Sequence, residues 1–246
     1  MLQEKTSSRS VSIENMIREY PVIDLGTLSG CERVQALETF EGIAAGGSFE
    51  ISARRRLTLL FCELRDRFGA GFYWWPLERG PLVWRVMLAK PAQGAQPTVA
   101  TVMSADHHRL HKLWCEFESA VELCQIETVH RRLSELSLGL RRYIDIEEVV
   151  LFPLLEAQTR RDDGNLTAAM RSQHREIAHL LDQFDKLRLT KDCASILQAF
   201  DQPVEPMAIF RNHYRNEEAV LYPLMEKVFS PVEERELLSL IQAFEI

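Results

Sequence analysis

The spacing of apolar residues changes once along this chain. Up to about residue 90, apolar positions come in short alternating or aromatic runs between glycines. Beyond about residue 104 they recur every three or four residues over long stretches. The first pattern predicts strands with short helices, the second long amphipathic helices. Residues 1–18 are polar and expected to be loose. Pro21-Val22-Ile23-Asp24-Leu25 predicts a strand, and Val34, Leu37, Phe40 and Ile43 mark a helix from Glu32 to about Ile43. Gly46-Gly47 breaks it, Ser48 to Ser52 alternates as a strand, and Leu57 to Phe68 forms a second helix stopped by Gly69 and Gly71. Phe72 to Glu78 and Val83 to Leu88 are aromatic-rich strands joined by a Gly80-Pro81 turn. The order β-α-β-α-β-β predicts a small two-layer α/β sandwich over residues 19–90. Residues 91–103, with Pro91, Gly94 and Pro97, read as a linker.

Residues 104–246 predict an all-α region. Ser104 is placed as the cap of a helix from Ala105 to Ile126, with Leu110, Leu113, Trp114, Phe117 and Val121 on its inner stripe. A second helix runs from Glu127 to Leu155. Pro153 lacks a backbone donor and is expected to kink or end it. A turn at Asp162-Asp163-Gly164-Asn165 precedes a third helix, Thr167 to Leu187, and a short helix is expected around Asp192 to Phe200. Pro203 and Pro206 open a fourth long helix that reaches about Phe229. Ser230-Pro231-Val232-Glu233 is a capping box that starts a last short helix. Four long helices with modest connections predict an up-down four-helix bundle.

This helical region repeats itself. Glu147-Glu148-Val149-Val150-Leu151-Phe152-Pro153 recurs as Glu217-Glu218-Ala219-Val220-Leu221-Tyr222-Pro223, an offset of 70 (217 − 147). Four residues before each copy stands Tyr143 or His213, on the same helical face as the glutamate. Upstream of each copy lies a histidine helix, carrying His107 and His174, with an offset of 67 (174 − 107). Each half thus offers an imidazole from one helix and an X-x-x-x-Glu face from the next. On a bundle, Glu147 and Glu217 would meet near the axis among His107, His174, His213 and Tyr143. Two buried carboxylates facing each other are very costly unless a cation stands between them. Hard oxygens and imidazoles suit iron or manganese, and zinc less specifically.

Composition narrows the partners. A net charge of −7 argues against nucleic acid. No apolar run approaches the roughly 20 residues that a membrane helix needs. The polar N-terminus has no apolar signal core, which with the cysteine pattern fits a cytoplasmic protein. Five scattered cysteines without a Cys-x-x-Cys make a disulfide framework or a thiolate zinc site unexpected.

The order His107, then Tyr143-x-x-x-Glu147-Glu148-x-x-Leu151-Phe152-Pro153, then His174, then His213-x-x-x-Glu217-Glu218-x-x-Leu221-Tyr222-Pro223 resembles the hemerythrin-like (HHE) cation-binding family over residues 104–228. The resemblance implies a non-haem di-iron centre, with His107, His174 and His213 as terminal ligands and Glu147 and Glu217 as bridges. Tyr143 stands where the family usually has histidine, and its phenolate would favour ferric iron. His111, one turn beyond His107, is a further candidate ligand. Glu148 and Glu218 are candidates for holding ligands in place, while His108 and His179 are expected at the surface. The resemblance implies a protein that binds or senses O2, NO or a reactive oxygen species. The alternative is an enzyme of iron–sulfur repair, iron donation, or peroxide or NO detoxification.

Gly47-Ser48-Phe49-Glu50 and Leu77-Glu78-Arg79-Gly80-Pro81-Leu82-Val83-Trp84 resemble a sulfur-carrier-like family of small domains over residues 20–90. That implies a protein partner through this domain, or sulfur transfer through Cys31. Cys31 is followed by Glu32, where the family has Cys-Pro. Arg54-Arg55-Arg56 reads as a solvated loop or a local anion contact.

Overall fold

The computed structural model describes residues 21–26, 29–94, 97–159, 164–187 and 206–244, with Asp192, Ser195, Ile196 and Gln198 between the last two segments. The N-terminal segment 1–18, Pro203 and most of the short helix expected at 192–200 lie outside the described residues.

The first unit is the anticipated α/β arrangement. Its elements are β1 (Val22–Asp24), α1 (Gly30–Gly42), β2 (Ser48–Ala53), α2 (Thr58–Phe68), β3 (Tyr73–Arg79) and β4 (Trp84–Ala89). The sheet order is β1-β2-β4-β3. β1 runs parallel to β2, and β4 lies antiparallel between β2 and β3. Gly46 between α1 and β2 and Gly69 after α2 take φ of 78° and 57°, the left-handed region that glycine enters without steric cost.

The sheet has two covered faces. On one, Phe49, Ile51, Trp74, Val86 and Leu88 pack with Phe40 of α1 and Phe61 of α2. On the other, Trp75, Leu77, Met87 and Ala89 form a separate cluster against Ala105 of the helical region. Successive strand residues point to opposite faces, so Trp74 and Trp75 serve different cores. Arg85 of β4 pins the two units together. It bonds Glu50 through Nε and Nη2 (2.6 and 2.9 Å) and Glu135 of the helical region through Nη2 (2.9 Å).

The helical region begins earlier than expected. α3 spans Val99–Glu122 and is capped by Thr98, whose side chain accepts from the Thr101 N–H. Ser104 is therefore inside the helix. The cap thus lies in the segment read as linker, directly after Pro97. Next come α4 (Ile126–Ile146), a π turn (Glu147–Leu151) and α5 (Phe152–Gln158), then α6 (Gly164–Leu187). α7 (Pro206–Asn216), a second π turn (Glu217–Leu221) and α8 (Tyr222–Val228) form the fourth long helix, and α9 (Pro231–Ala243) closes the chain. α9 opens on the capping box read from Ser230 and Glu233. α3 packs on α4, α4 on α6, and α6 on α7. Trp114, Phe117, Phe184 and Phe210 fill the core between them.

Neither long helix stops at its proline. In both copies the chain widens into a π turn that begins at the glutamate, with the N–H of Phe152 bonded to the Glu147 carbonyl and that of Tyr222 to the Glu217 carbonyl. Pro153 and Pro223 cannot donate to the carbonyl four residues back, and their rings would crowd it. A wider turn removes that clash while keeping the helix continuous.

Cys124, at φ 53°, is disulfide-bonded, whereas Cys31, Cys62 and Cys115 are free. The scattered cysteines argued against a disulfide framework and gave no sign of this bond. Spacing along the chain does not reveal which cysteines the fold brings together. Among the described residues no helix is long and apolar enough to cross a membrane.

Candidate metal centre

The repeat comes together at one depth in the bundle. α3 supplies His107, α4 Tyr143 and α6 His174. The two π turns supply Glu147 and Glu217, and α7 supplies His213. All six side chains are buried, both glutamates completely. Among the described residues, donor atoms of Glu147, His174, His213 and Glu217 lie within 4.8 Å of one another.

Two imidazoles face each other across this space, His174 Nε2 and His213 Nε2 at 3.3 Å. Their other nitrogens are held outward. His174 Nδ1 is 2.7 Å from Glu148 Oε1, and His213 Nδ1 is 3.1 Å from Gln173 Oε1. With Nδ1–H donated outward, the Nε2 lone pairs point inward. Carboxylate oxygens close the space: Glu147 Oε2 stands 3.0 Å from His174 Nε2, and Glu217 Oε1 stands 2.5 Å from His213 Nε2.

On the far side of Glu217 the surroundings are phenolic. Tyr143 donates to Glu217 Oε2 at 2.8 Å and shares a 2.7 Å contact with the Tyr222 hydroxyl, which itself lies 3.3 Å from the same oxygen. His107 Nε2 is 2.6 Å from Glu217 Oε2, with its ring 3.8 Å from the Tyr214 ring. Tyr222 reaches Glu217 because a π turn brings residues five apart onto one face. In the other copy the same position is Phe152, stacked on His174 at 5.6 Å and 9°.

Burial and the neighbouring Glu217 push the Glu147 carboxyl up. Burial acts on Glu217 in the same sense, but His213, with His107 beside it, holds that carboxyl well below its ordinary value. Burial disfavours a charged His213, yet Glu217 and Glu147 lift it to about 10. Desolvation, with the two glutamates, pushes the phenols of Tyr143 and Tyr222 well up. Tyr143 thus stands as a protonated hydrogen-bond donor.

The donor set fits a cation. Glu147 Oε1, Glu217 Oε1 and both ring nitrogens of His107 are buried without a hydrogen-bond partner. His107 Nε2 and Glu217 Oε2 are close without the direction of a hydrogen bond, as are His213 Nε2 and Glu217 Oε1. Nitrogen and oxygen lone pairs crowded in this way, away from water, suit a bound ion.

The remaining candidates fall elsewhere. His111 is exposed and rests on Cys115 Sγ at 3.9 Å, so α3 does not bring it to the centre. Residues four apart drift by 40° on a helix, and the inner stripe follows His107 and Leu110. His108 and His179 are exposed, as expected, and Glu218 is exposed too. Cys31 is exposed in the first turn of α1, and Arg54 to Arg56 are exposed, with Arg56 over the Trp84 ring at 5.2 Å. Gln173, Tyr214 and Tyr222 were not anticipated. Tyr222 had a signal, since it occupies the repeat position of Phe152.

Residues 98–208 match a family described as the hemerythrin HHE cation binding domain. Residues 22–90 match a family described as an uncharacterized conserved protein, DUF2249, a description that does not carry the sulfur-carrier label. No curated protein and no solved structure matches the chain. The first match ends before His213, so His213 and Glu217 are placed at the centre by geometry.

Proposed function

We propose that the hemerythrin HHE domain of this chain holds non-haem iron at the buried centre and binds a small diatomic ligand, O2 or NO. Glu147, His174, His213 and Glu217 would hold the metal, with His107 and Tyr143 completing the other side of Glu217. The observation that carries this reading is the pair of facing Nε2 atoms of His174 and His213, each with its outer nitrogen tied down. Without a cation, a proton must sit among these groups, and the lifted His213 is where it goes.

Bound iron would supply an open coordination position for the diatomic ligand. The protein's own groups do the rest. Glu147 and Glu217 are fully buried, as are Leu151, Phe152 and Leu221 close to them in the chain. The hydroxyls of Tyr143 and Tyr222 are buried donors on the Glu217 side. A helical core closed in this way admits a diatomic molecule more readily than a larger substrate.

A second reading is consumption of peroxide or NO, and it applies if ferric iron displaces the proton that Tyr143 donates to Glu217. An anionic oxygen ligand stabilises ferric iron and works against reversible O2 carriage, which needs a ferrous centre. Anaerobic loading with ferrous iron, followed by O2, NO or peroxide, separates the readings. A stable adduct spectrum without turnover supports binding, and repeated turnover supports the enzyme. Failure to take up iron at all sinks both.

A further inference from the structure

The seam between the sheet and the helices holds a second candidate site. A cleft of about 550 Å³ opens between the outer face of the sheet and helices α3 and α4. That volume is in the range of small-molecule sites. Its floor is aromatic and apolar: Tyr73, Trp75 and Met87 line it. The Tyr73 and Trp75 rings are stacked, 5.2 Å apart and 17° from parallel. Tyr73 is the more exposed of the two, so its ring is the surface that a flat ligand can reach.

The opposite wall is cationic. Five Lys or Arg residues and three Glu residues line the cleft, in a chain whose net charge is −7. The three acids are already engaged. Glu50 is bonded to Arg85, Glu135 to Arg85 and Arg132, and Glu116 to Arg132 and, at 3.7 Å, to the 41% exposed Lys112. Arg131 is exposed at the rim. Arg109 is more telling. Its Nε is spent on Asp106 at 2.7 Å, and its guanidinium lies over the Trp75 ring at 5.5 Å. Yet Nη1 and Nη2 are buried with no hydrogen-bond partner. Nη2 packs toward Gly139 of α4, so Arg109, 10% exposed, acts on the cleft as a fixed positive charge in its wall rather than as a free edge.

We propose that this cleft binds a mononucleotide, with the flat base on Tyr73 and the phosphate on the wall of Arg109, Lys112 and Arg131. A stacking surface beside clustered cations is the chemistry that recognises an aromatic ring carrying a phosphate. Purine and flavin nucleotides share it. The site is separate from the metal centre, and its failure would leave the metal reading untouched.

Calorimetric titration of the full chain with AMP and with FMN tests it, with adenosine and inorganic phosphate as half-ligands. One of the two nucleotides is expected to bind and to change the tryptophan fluorescence, and each half-ligand should bind at least about tenfold more weakly. The rim variant Lys112→Glu/Arg131→Glu is expected to weaken binding by at least about tenfold without changing the thermal melt. Tyr73→Leu should weaken the nucleotide but not phosphate. No binding of either nucleotide at about 1 mM, or equal binding by the folded rim variant, overturns the proposal.

Discussion

Tyr143 and His213 occupy the same place in the two halves of the repeat, and both end on Glu217. The Tyr143 hydroxyl donates to Oε2 at 2.8 Å, and His213 Nε2 meets Oε1 at 2.5 Å. One carboxylate is therefore gripped from both sides by equivalent positions of different chemistry. The centre is symmetric in its backbone and asymmetric in its donors. The half around His174 and His213 is imidazole-rich, and the half around Tyr143, Tyr214 and Tyr222 is phenolic. Four expectations follow from this asymmetry and its supports.

Glu148 reaches the centre only through His174. Its side chain is 37% exposed, so Glu148→Gln should fold normally. Losing a carboxylate behind a ligating imidazole typically lowers metal affinity by about 10–100-fold. Competition with a coloured chelator measures this. An unchanged affinity would show that His174 is not a ligand.

Tyr143 must lose its proton to ligate. Iron in the ferric state is expected to displace it and give a visible phenolate band, which Tyr143→Phe removes. A spectrum without such a band, or one that survives the substitution, leaves Tyr143 as a donor to Glu217 only.

Proton and cation compete for the same lone pairs. In the metal-free protein His213 titrates near 10, above the roughly 6.5 of an unfolded histidine. Its contribution to stability is fully present below about pH 6.5 and is lost as pH rises toward about 10. A bound cation displaces that proton, so its affinity should rise over the same range. Denaturant melts of metal-free and zinc-loaded protein at pH 6 and pH 9 check this, the gap between them being wider at pH 9.

Asp106 and Arg142 sit next to His107 and Tyr143 in the chain and are both buried. Asp106 bonds Arg142 Nη1 at 2.5 Å and Arg109 Nε at 2.7 Å. Burial pulls Arg142 down to about 10, with Asp106 opposing. Removing one partner of a buried pair leaves the other charge stranded, at a cost of about 3–5 kcal/mol. Urea unfolding of Asp106→Ala should show a loss of that order, whereas Arg131→Ala at the surface should be near neutral.

Much of the centre could be read without coordinates. The repeat placed Glu147, Glu217, His174 and His213 on inward faces because helical periodicity carries over several turns. His107 follows from the same periodicity. His111 shows its limit. A residue one turn away shares the face only approximately, and here the buried stripe leaves it outside. Pro153 and Pro223 announced a disturbance, but not its form. A kink, an end and a π turn all answer the same missing donor, and packing of the following turn selects among them.

The chain alone therefore determined the types of element, their order and the residues able to bind a cation, because these depend on local spacing and donor chemistry. The tertiary structure decided which nitrogen of each histidine faces inward, that Tyr143 spends its proton on Glu217, and that Gln173 and Tyr222 join the centre. It also decided that Arg109 and Trp75 meet across the domain seam. Those contacts join residues distant in sequence, and their energies depend on burial and direction, which appear only when separate helices and the sheet are packed against one another.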